Sequence, residues 1–207
     1  MKKLLAVLAM LLPMQLLAAN WQEGTHYEVI DDKASSKMLV QEFYSFWCPA
    51  CNAVEPIVQQ MKTRLASEGI KFEKVHANFM RFAEPETQDA ATRAMMIGRA
   101  LKQEEKLNSA IFAHIHKKRQ PITSMDDLKA IFVDQGVDPE RFDELAGSFS
   151  VNSLFSRNNK TLEQNARHLN KGVPAFIVNG KYRAMFTRDM TPDQVIELVV
   201  WLAKQKS

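Results

Sequence analysis

Cysteine is scarce in this chain of 207 residues, which contains only two, and no apolar run is long enough to span a membrane. A scaffold held by several disulfides is therefore excluded, and a chain of this length can build a core without them. Neither sign of charge dominates, since 27 Lys and Arg oppose 24 Asp and Glu and leave a net charge of +3. A chain with this balance lacks the excess of positive charge that is typical of nucleic-acid-binding proteins. The short basic run Lys117-Lys118-Arg119 is predicted to be a solvated helix end.

The N-terminus has the pattern of a secretory signal peptide. Met1-Lys2-Lys3 is a basic start, Leu4–Leu17 is an apolar stretch, and Ala18-Ala19-Asn20 supplies small residues for cleavage. A membrane anchor is the alternative, but a span needs about 20 apolar residues, and this shorter stretch is interrupted by Pro13. We therefore expect cleavage near Ala19 and an exported protein.

Both cysteines lie in one motif, Phe46-Trp47-Cys48-Pro49-Ala50-Cys51, at the end of the apolar run Leu39–Trp47. This order predicts a buried strand that leads into a helix beginning at the motif. A helix N-terminus presents unpaired N–H groups and the positive end of the helix dipole, which stabilise a thiolate at Cys48. Pro49 suits the first helical turn, where its missing N–H is not needed. The motif therefore predicts redox chemistry.

Three other roles for the two cysteines remain open. A structural disulfide closing so short a loop would constrain the unfolded chain little. A zinc site would need two further ligands from histidines or carboxylates, and His114 and His116 would point to different faces of a predicted helix. An inert pair in the core is the third alternative. Redox exchange is the favoured interpretation.

Hydrophobic patterning divides the chain into two kinds of structure. Strands are predicted at Tyr27–Ile30, Leu39–Trp47 and Lys71–Phe79. A helix runs from Cys48 towards Leu65, with a kink or break at Pro56. The residues that follow carry helical patterns alone, at Thr87–Lys106, Asn108–Lys118, Met125–Val133 and Pro139–Ala146.

The C-terminal part returns to a mixed pattern. A helix over Ser150–Leu169 precedes two strands joined by a tight turn at Asn179-Gly180. Thr191 and Gln194 then form a capping box that begins a final helix. The order predicts an α/β protein with a thioredoxin-like fold and an inserted all-helical domain. We assign residues 1–19 to the signal peptide, 20–83 and 150–207 to the thioredoxin-like domain, and 84–149 to the insertion.

The chain resembles the DsbA family of periplasmic thiol:disulfide oxidoreductases in three segments, Glu42–Cys51, Lys74–Met80 and Gly172–Tyr182. The helical insertion has the size and place expected for the family, so the resemblance covers nearly the whole chain after Ala19. It implies that Cys48 is the exposed nucleophile and that Cys51 is its more buried partner.

The resemblance also implies roles for residues around the cysteines. Val173-Pro174 would form a cis-proline loop facing the disulfide, and Glu42 with Lys74 would form a buried proton relay. The residues implied to contact substrate are Pro49, Ala50, Val173, Phe79 and Met80. For Phe79 and Met80, ordinary core packing is the alternative.

For function, the resemblance implies a disulfide oxidase of the periplasm with no bound cofactor and no metal. Its partners would be unfolded exported proteins with free cysteines and a DsbB-like membrane quinone reductase that reoxidises it. We expect a monomer. A thioredoxin-like reductase or isomerase and a thiol metal-binding chaperone are the alternatives. Ala50 departs from the histidine of the family's best-known members, which predicts a weaker oxidant.

Overall fold

The computed structural model describes residues 20–205, so the predicted signal peptide lies outside the described part of the chain. Five strands form one sheet in the order β1-β5-β4-β2-β3. They are β1 Tyr27–Val29, β2 Leu39–Tyr44, β3 Lys71–His76, β4 Ala175–Val178 and β5 Tyr182–Ala184. Strands β2 and β3 are parallel, as expected for a strand-helix-strand unit, whereas the other neighbours are antiparallel.

Seven α-helices occur in the described range 20–205. They are α1 Pro49–Ser67, α2 Pro85–Ala100, α3 Glu104–Phe112, α4 Met125–Asp134, α5 Pro139–Ala146, α6 Phe149–Asn165 and α7 Pro192–Ala203. A π-turn at Ala113–Lys117 continues α3, and a 3₁₀ turn at Ala166–Leu169 continues α6. None of these helices is long and apolar enough to cross a membrane.

The sheet carries α1 and α7 on one face and α6 on the other. Val58 and Met61 of α1 pack with Leu198 of α7 against the sheet. On the opposite face Leu162 of α6 packs against Phe43 of β2. A third core joins the helices that follow β3 to the residues around the cysteines, and it includes Tyr44, Phe46, Trp47, Cys48, Cys51, Met95 and Phe112. The cysteine motif therefore lies where the sheet meets the helices between β3 and β4.

The predicted α/β, thioredoxin-like class is confirmed, but three local predictions were wrong. The predicted helix Thr87–Lys106 is two helices, because Lys102 adopts a left-handed φ of 56° that ends α2. At the same corner Gly98 allows a close approach, since a Cβ there would lie 3.3 Å from the Cα of Glu104. The predicted strands Leu39–Trp47 and Lys71–Phe79 end three residues early.

The third difference concerns Pro56, which was predicted to kink or break its helix. Helix α1 runs through this residue without a break, so the predicted break is wrong and the kink stays a prediction. The Asn179-Gly180 turn is present, with positive φ at both residues, but Val178 pairs with Tyr182 and so three residues separate the strands. The predicted capping box at Thr191 is confirmed, and Ser124 forms a second one at the start of α4.

Candidate active site

Cys48 is the N-cap residue of α1, and Cys51 lies in the first turn of that helix. The backbone N–H of Cys51 donates a hydrogen bond to the Cys48 sulfur at 3.1 Å. This geometry follows from the motif, because an N-cap side chain accepts from the N–H three residues later. Both cysteines are free thiols. A helix start in this position stabilises negative charge on Cys48 and offers nothing equivalent to Cys51.

The predicted exposure of Cys48 was wrong for this state of the protein. Its exposed fraction is 3%, against 0% for Cys51. The reason is a long-range contact: the Cys48 S–H donates to the carbonyl oxygen of Val173 at 3.4 Å, across 125 residues of sequence. The neighbouring Pro49 and Ala50 are exposed. The sulfur therefore lies just below an accessible surface.

The two thiols have opposite acidities. A hydrogen bond from the Cys51 thiol, with further ones from the backbone N–H groups of Cys51 and Ala50, lowers the pKa of Cys48 to about 7. The same hydrogen bond and burial raise the pKa of Cys51 above its usual range. The first proton that the reduced pair loses, near neutral pH, therefore comes from Cys48, while Cys51 keeps its own.

The loop that faces Cys48 has the predicted cis peptide bond between Val173 and Pro174. Gly172 precedes it with a φ of +83°, a conformation that glycine adopts without a steric penalty. Val173 packs against both the helical core and the core beneath α6. The Val173 carbonyl is thereby held over the Cys48 sulfur.

Glu42 and Lys74 are neighbours across the parallel strands β2 and β3, so their side chains lie on the same face. The Lys74 Nζ is 2.9 Å from Glu42 Oε2, and both side chains are buried. Lys74 also contacts Glu55 of α1, a residue the sequence interpretation missed. A signal was present, because Glu55 lies four residues after Cys51 and so on the same side of the helix.

This buried triad leaves Glu42 poorly stabilised as a carboxylate. Among the described residues, neither Glu42 oxygen has a hydrogen bond of good geometry. Burial raises the pKa of Glu42, against the opposing effect of Lys74. Burial would lower the pKa of Lys74, but Glu42 and Glu55 together raise it. The surroundings therefore favour the charged form of Lys74 and disfavour the carboxylate form of Glu42.

Two histidines form hydrogen bonds with the backbone of Phe46, two residues before Cys48. His76 Nε2 accepts the backbone N–H of Phe46 at 3.2 Å, and its Nδ1 pairs with Thr92 Oγ1 at 2.7 Å. His116, in the π-turn, donates from Nε2 to the carbonyl oxygen of Phe46 at 2.7 Å. Complete burial lowers the pKa of His76 to about 3, so this imidazole stays neutral. The sequence analysis predicted no contact of either histidine with the residues before Cys48.

The remaining predicted substrate residues are not gathered in one place. Phe79 is exposed and lines a cavity of about 470 Å³ beside α6. Met80 instead packs against the helical core, and both its N–H and its carbonyl oxygen bond to Gln88. The two residues therefore have different surroundings, and their role as substrate contacts stays a prediction. In the described range 20–205, no three side chains of metal-binding type are grouped closely enough to hold an ion.

A thioredoxin-like sheet, a Cys-x-x-Cys pair at a helix start and a facing cis-proline loop define a thiol:disulfide oxidoreductase. Comparison with known proteins gives the family. Residues 39–195 match the family model of the DSBA-like thioredoxin domain. The thiol:disulfide interchange protein DsbA of Haemophilus influenzae is 37% identical over 190 residues, which cover 88% of each chain.

Solved structures agree with that assignment. The crystal structure of DsbA from Klebsiella pneumoniae has a TM-score of 0.76 and 26% identity, covering 91% of this chain and all of that one. DsbA from Proteus mirabilis was solved with the non-covalently bound peptide PWATCDS. That structure has a TM-score of 0.71 and 26% identity, and the match covers 90% of this chain and all of that one. This chain belongs to the DsbA-like thioredoxin family and is a thiol:disulfide oxidoreductase.

Proposed function

We propose that this protein works as an oxidase, which donates a Cys48–Cys51 disulfide to exported proteins with free cysteines. The opposite acidities of the two thiols carry the proposal. A stabilised Cys48 thiolate stabilises the reduced enzyme, and a stabilised reduced form makes its disulfide a stronger oxidant. Each pKa unit corresponds to about 1.4 kcal/mol, or about 30 mV for a two-electron couple.

The exchange has two steps. A substrate thiolate attacks the Cys48 sulfur, the bond to Cys51 breaks, and Cys51 leaves as a thiolate that takes up a proton. A second substrate thiolate then attacks the substrate sulfur of the mixed disulfide and expels Cys48 as a stable thiolate. The substrate loses two electrons and two protons, and the enzyme gains both electrons. The low Cys48 pKa favours the second step, because a better leaving group leaves faster.

Glu42 and Lys74 serve as the proton relay for Cys51 in this scheme. The carboxylate is buried beneath the motif with poor hydrogen bonding, so it exchanges a proton more readily than a solvated carboxylate at neutral pH. Glu55, on the same helix as Cys51, contacts Lys74 from the other side. Together the three groups allow charge to be redistributed when Cys51 changes state.

Substrate binding is assigned to the exposed rim of the site. Pro49, Ala50 and the Val173-Pro174 loop border Cys48, and an extended substrate segment would lie between them. Phe79 and Met80 are further substrate contacts in this proposal, with Phe79 contributing its exposed ring. A relative with a bound cysteine-containing peptide supports a peptide as the ligand class.

The cellular setting completes the proposal. The protein acts in the periplasm after cleavage near Ala19, as a monomer of a thioredoxin-like domain (20–83 and 150–207) and a helical domain (84–149). A DsbB-like membrane quinone reductase returns the pair to the disulfide. The curated relatives named DsbA support this assignment.

Trapping tests whether exchange with exported proteins passes through a mixed disulfide at Cys48. Cys51→Ala removes the internal resolving thiol, so mixed disulfides between Cys48 and exported proteins should accumulate in the oxidising compartment. Cys48→Ala is the matched control and should trap nothing. Absence of adducts in Cys51→Ala, with the variant folded and exported, would reject the exchange mechanism.

A further inference from the structure

The π-turn Ala113–Lys117 separates two cavities that flank the redox motif. One, the Asn52 cavity, has a volume of about 430 Å³ and lies between Asn52 on the first turns of α1 and Lys117. The other, the Trp47 cavity, has a volume of about 630 Å³ and extends from Trp47 to Arg119. A π-turn adds a residue to a helical turn, and such insertions are frequent at functional sites. This one directs successive residues towards both cavities.

The basic run of the sequence begins at the end of this turn and reaches both cavities, because Lys117 lines the Asn52 cavity and Arg119 lines the Trp47 cavity. Lys117, Lys118 and Arg119 are all exposed. Within residues 20–205 none of the three forms an ion pair with a carboxylate. Few negative charges oppose the run. Glu84 is the acidic residue that lines the Trp47 cavity. Glu55 lines the Asn52 cavity, where it is already paired with Lys74.

The Trp47 cavity also has an apolar wall. Trp47, Phe82 and Ile115 line it together, and Phe82 is 71% exposed. Trp47 immediately precedes Cys48, and an extended chain advances about 3.3–3.6 Å per residue. A substrate segment with its cysteine at Cys48 is therefore within a few residues' reach of the cavity that Trp47 and Arg119 line.

We propose that the basic run Lys117–Arg119 and the Trp47 cavity select substrates with acidic residues close to the reacting cysteine. The inference rests on the proposed oxidase function and names the substrate class. An acidic residue two or three positions from the cysteine meets the unpaired positive charge, and an adjacent apolar side chain fits against Phe82. The attraction is between solvated charges, so it is modest and falls with salt.

The test compares two reduced dithiol peptides that differ only in Glu or Gln at the second and third positions after the first cysteine. The oxidised protein is mixed with each peptide, and second-order rate constants are measured at low salt and in 0.5 M NaCl. Each rate constant is divided by the rate constant for reaction of the same peptide with a small, neutral disulfide. This normalisation is needed because a nearby Glu also changes the pKa and reactivity of the peptide's own thiol. The proteins are the parent, Lys117→Gln/Lys118→Gln/Arg119→Gln, and a charge-matched control, Lys33→Gln/Lys37→Gln/Lys160→Gln.

The normalised preference for the Glu peptide should be about 3- to 10-fold in the parent and in the control at low salt. It should fall below about 2-fold in the triple variant of the run and at high salt. The inference is overturned if the parent shows no preference for the Glu peptide, or if the triple variant of the run keeps that preference. In either case, oxidation of the Gln peptide would still support the oxidase function. Failure to oxidise either peptide would reject that function and this inference with it.

Discussion

The backbone N–H of Cys51 points at the sulfur of Cys48 from 3.1 Å, so the resolving cysteine's own peptide group stabilises the nucleophile. The Cys51 thiol adds a second hydrogen bond in the thiolate state. Ala50 contributes a backbone N–H to the same sulfur and has no side-chain donor. The thiolate therefore depends on the helix start, which the Cys-x-x-Cys spacing creates.

Alkylation should distinguish the two cysteines. In the reduced protein, iodoacetamide should label Cys48 well before Cys51, with a rate that rises through a midpoint near the Cys48 pKa of about 7. Below that pH the sulfur is protonated and should react slowly. Mass spectrometry after a short pulse at a series of pH values measures this. Earlier labelling of Cys51 would reverse the assignment of the nucleophile.

Replacement of Glu42 should impair proton movement. Glu42→Gln keeps the shape of the side chain but cannot accept a proton, so exchange should slow by about 10-fold or more and its pH profile should flatten. Glu73→Gln, on the neighbouring strand and partly exposed, is the matched control and should behave like the parent. An unchanged pH profile in Glu42→Gln would leave Glu42 with only a structural role.

Substitution at Ala50 should strengthen the oxidant. Ala50→His adds a donor and, when protonated, a positive charge near Cys48, so it should lower the Cys48 pKa and raise the reduction potential together. A shift of one unit in the Cys48 pKa corresponds to a change of about 30 mV in the reduction potential. Ala50→Gln, polar but neutral, should give a smaller effect. If neither quantity moves in Ala50→His, another group sets the thiolate energy.

His76 should make the folded state sensitive to acid. Its folded pKa of about 3 lies below the ordinary value of 6.5, so between these values the unfolded chain binds a proton that the folded protein does not. Its contribution to stability is therefore lost as pH falls below 6.5, by about 1.4 kcal/mol per pH unit. In denaturant titrations from pH 6.5 to 4, His76→Gln should reduce that slope. An equal slope in both proteins would show that His76 is protonated when folded.

The sequence was sufficient for features that depend on neighbours along the chain. The motif at a strand end predicted the helix start at Cys48, and the strand pattern predicted β3. Contacts across long separations were not predictable in this way. Val173 covers the Cys48 sulfur and buries it, although the two residues are 125 positions apart in the sequence. The predicted exposure of Cys48 was wrong because no local pattern indicates this contact.

Local signals were also absent at some places where the prediction failed. Leu101-Lys102-Gln103 contains no glycine or proline, so nothing marked the left-handed turn that ends α2. The contact of His116 with Phe46 spans 70 residues and depends on the π-turn, for which hydrophobic periodicity gives no indication. The sequence analysis predicted residues 84–149 as a series of regular helices. It therefore did not predict that His116 contacts the backbone of Phe46 beside the active site.

The reduction potential of the Cys48–Cys51 pair tests the central claim most directly. The oxidised and reduced fractions at equilibrium in glutathione buffers of known ratio give its value. A Cys48 thiolate stabilised as the structure indicates predicts a potential well above the value of about −270 mV typical of thioredoxin, so that the protein oxidises substrate thiols. A potential at or below that value would contradict the account and identify a reductase.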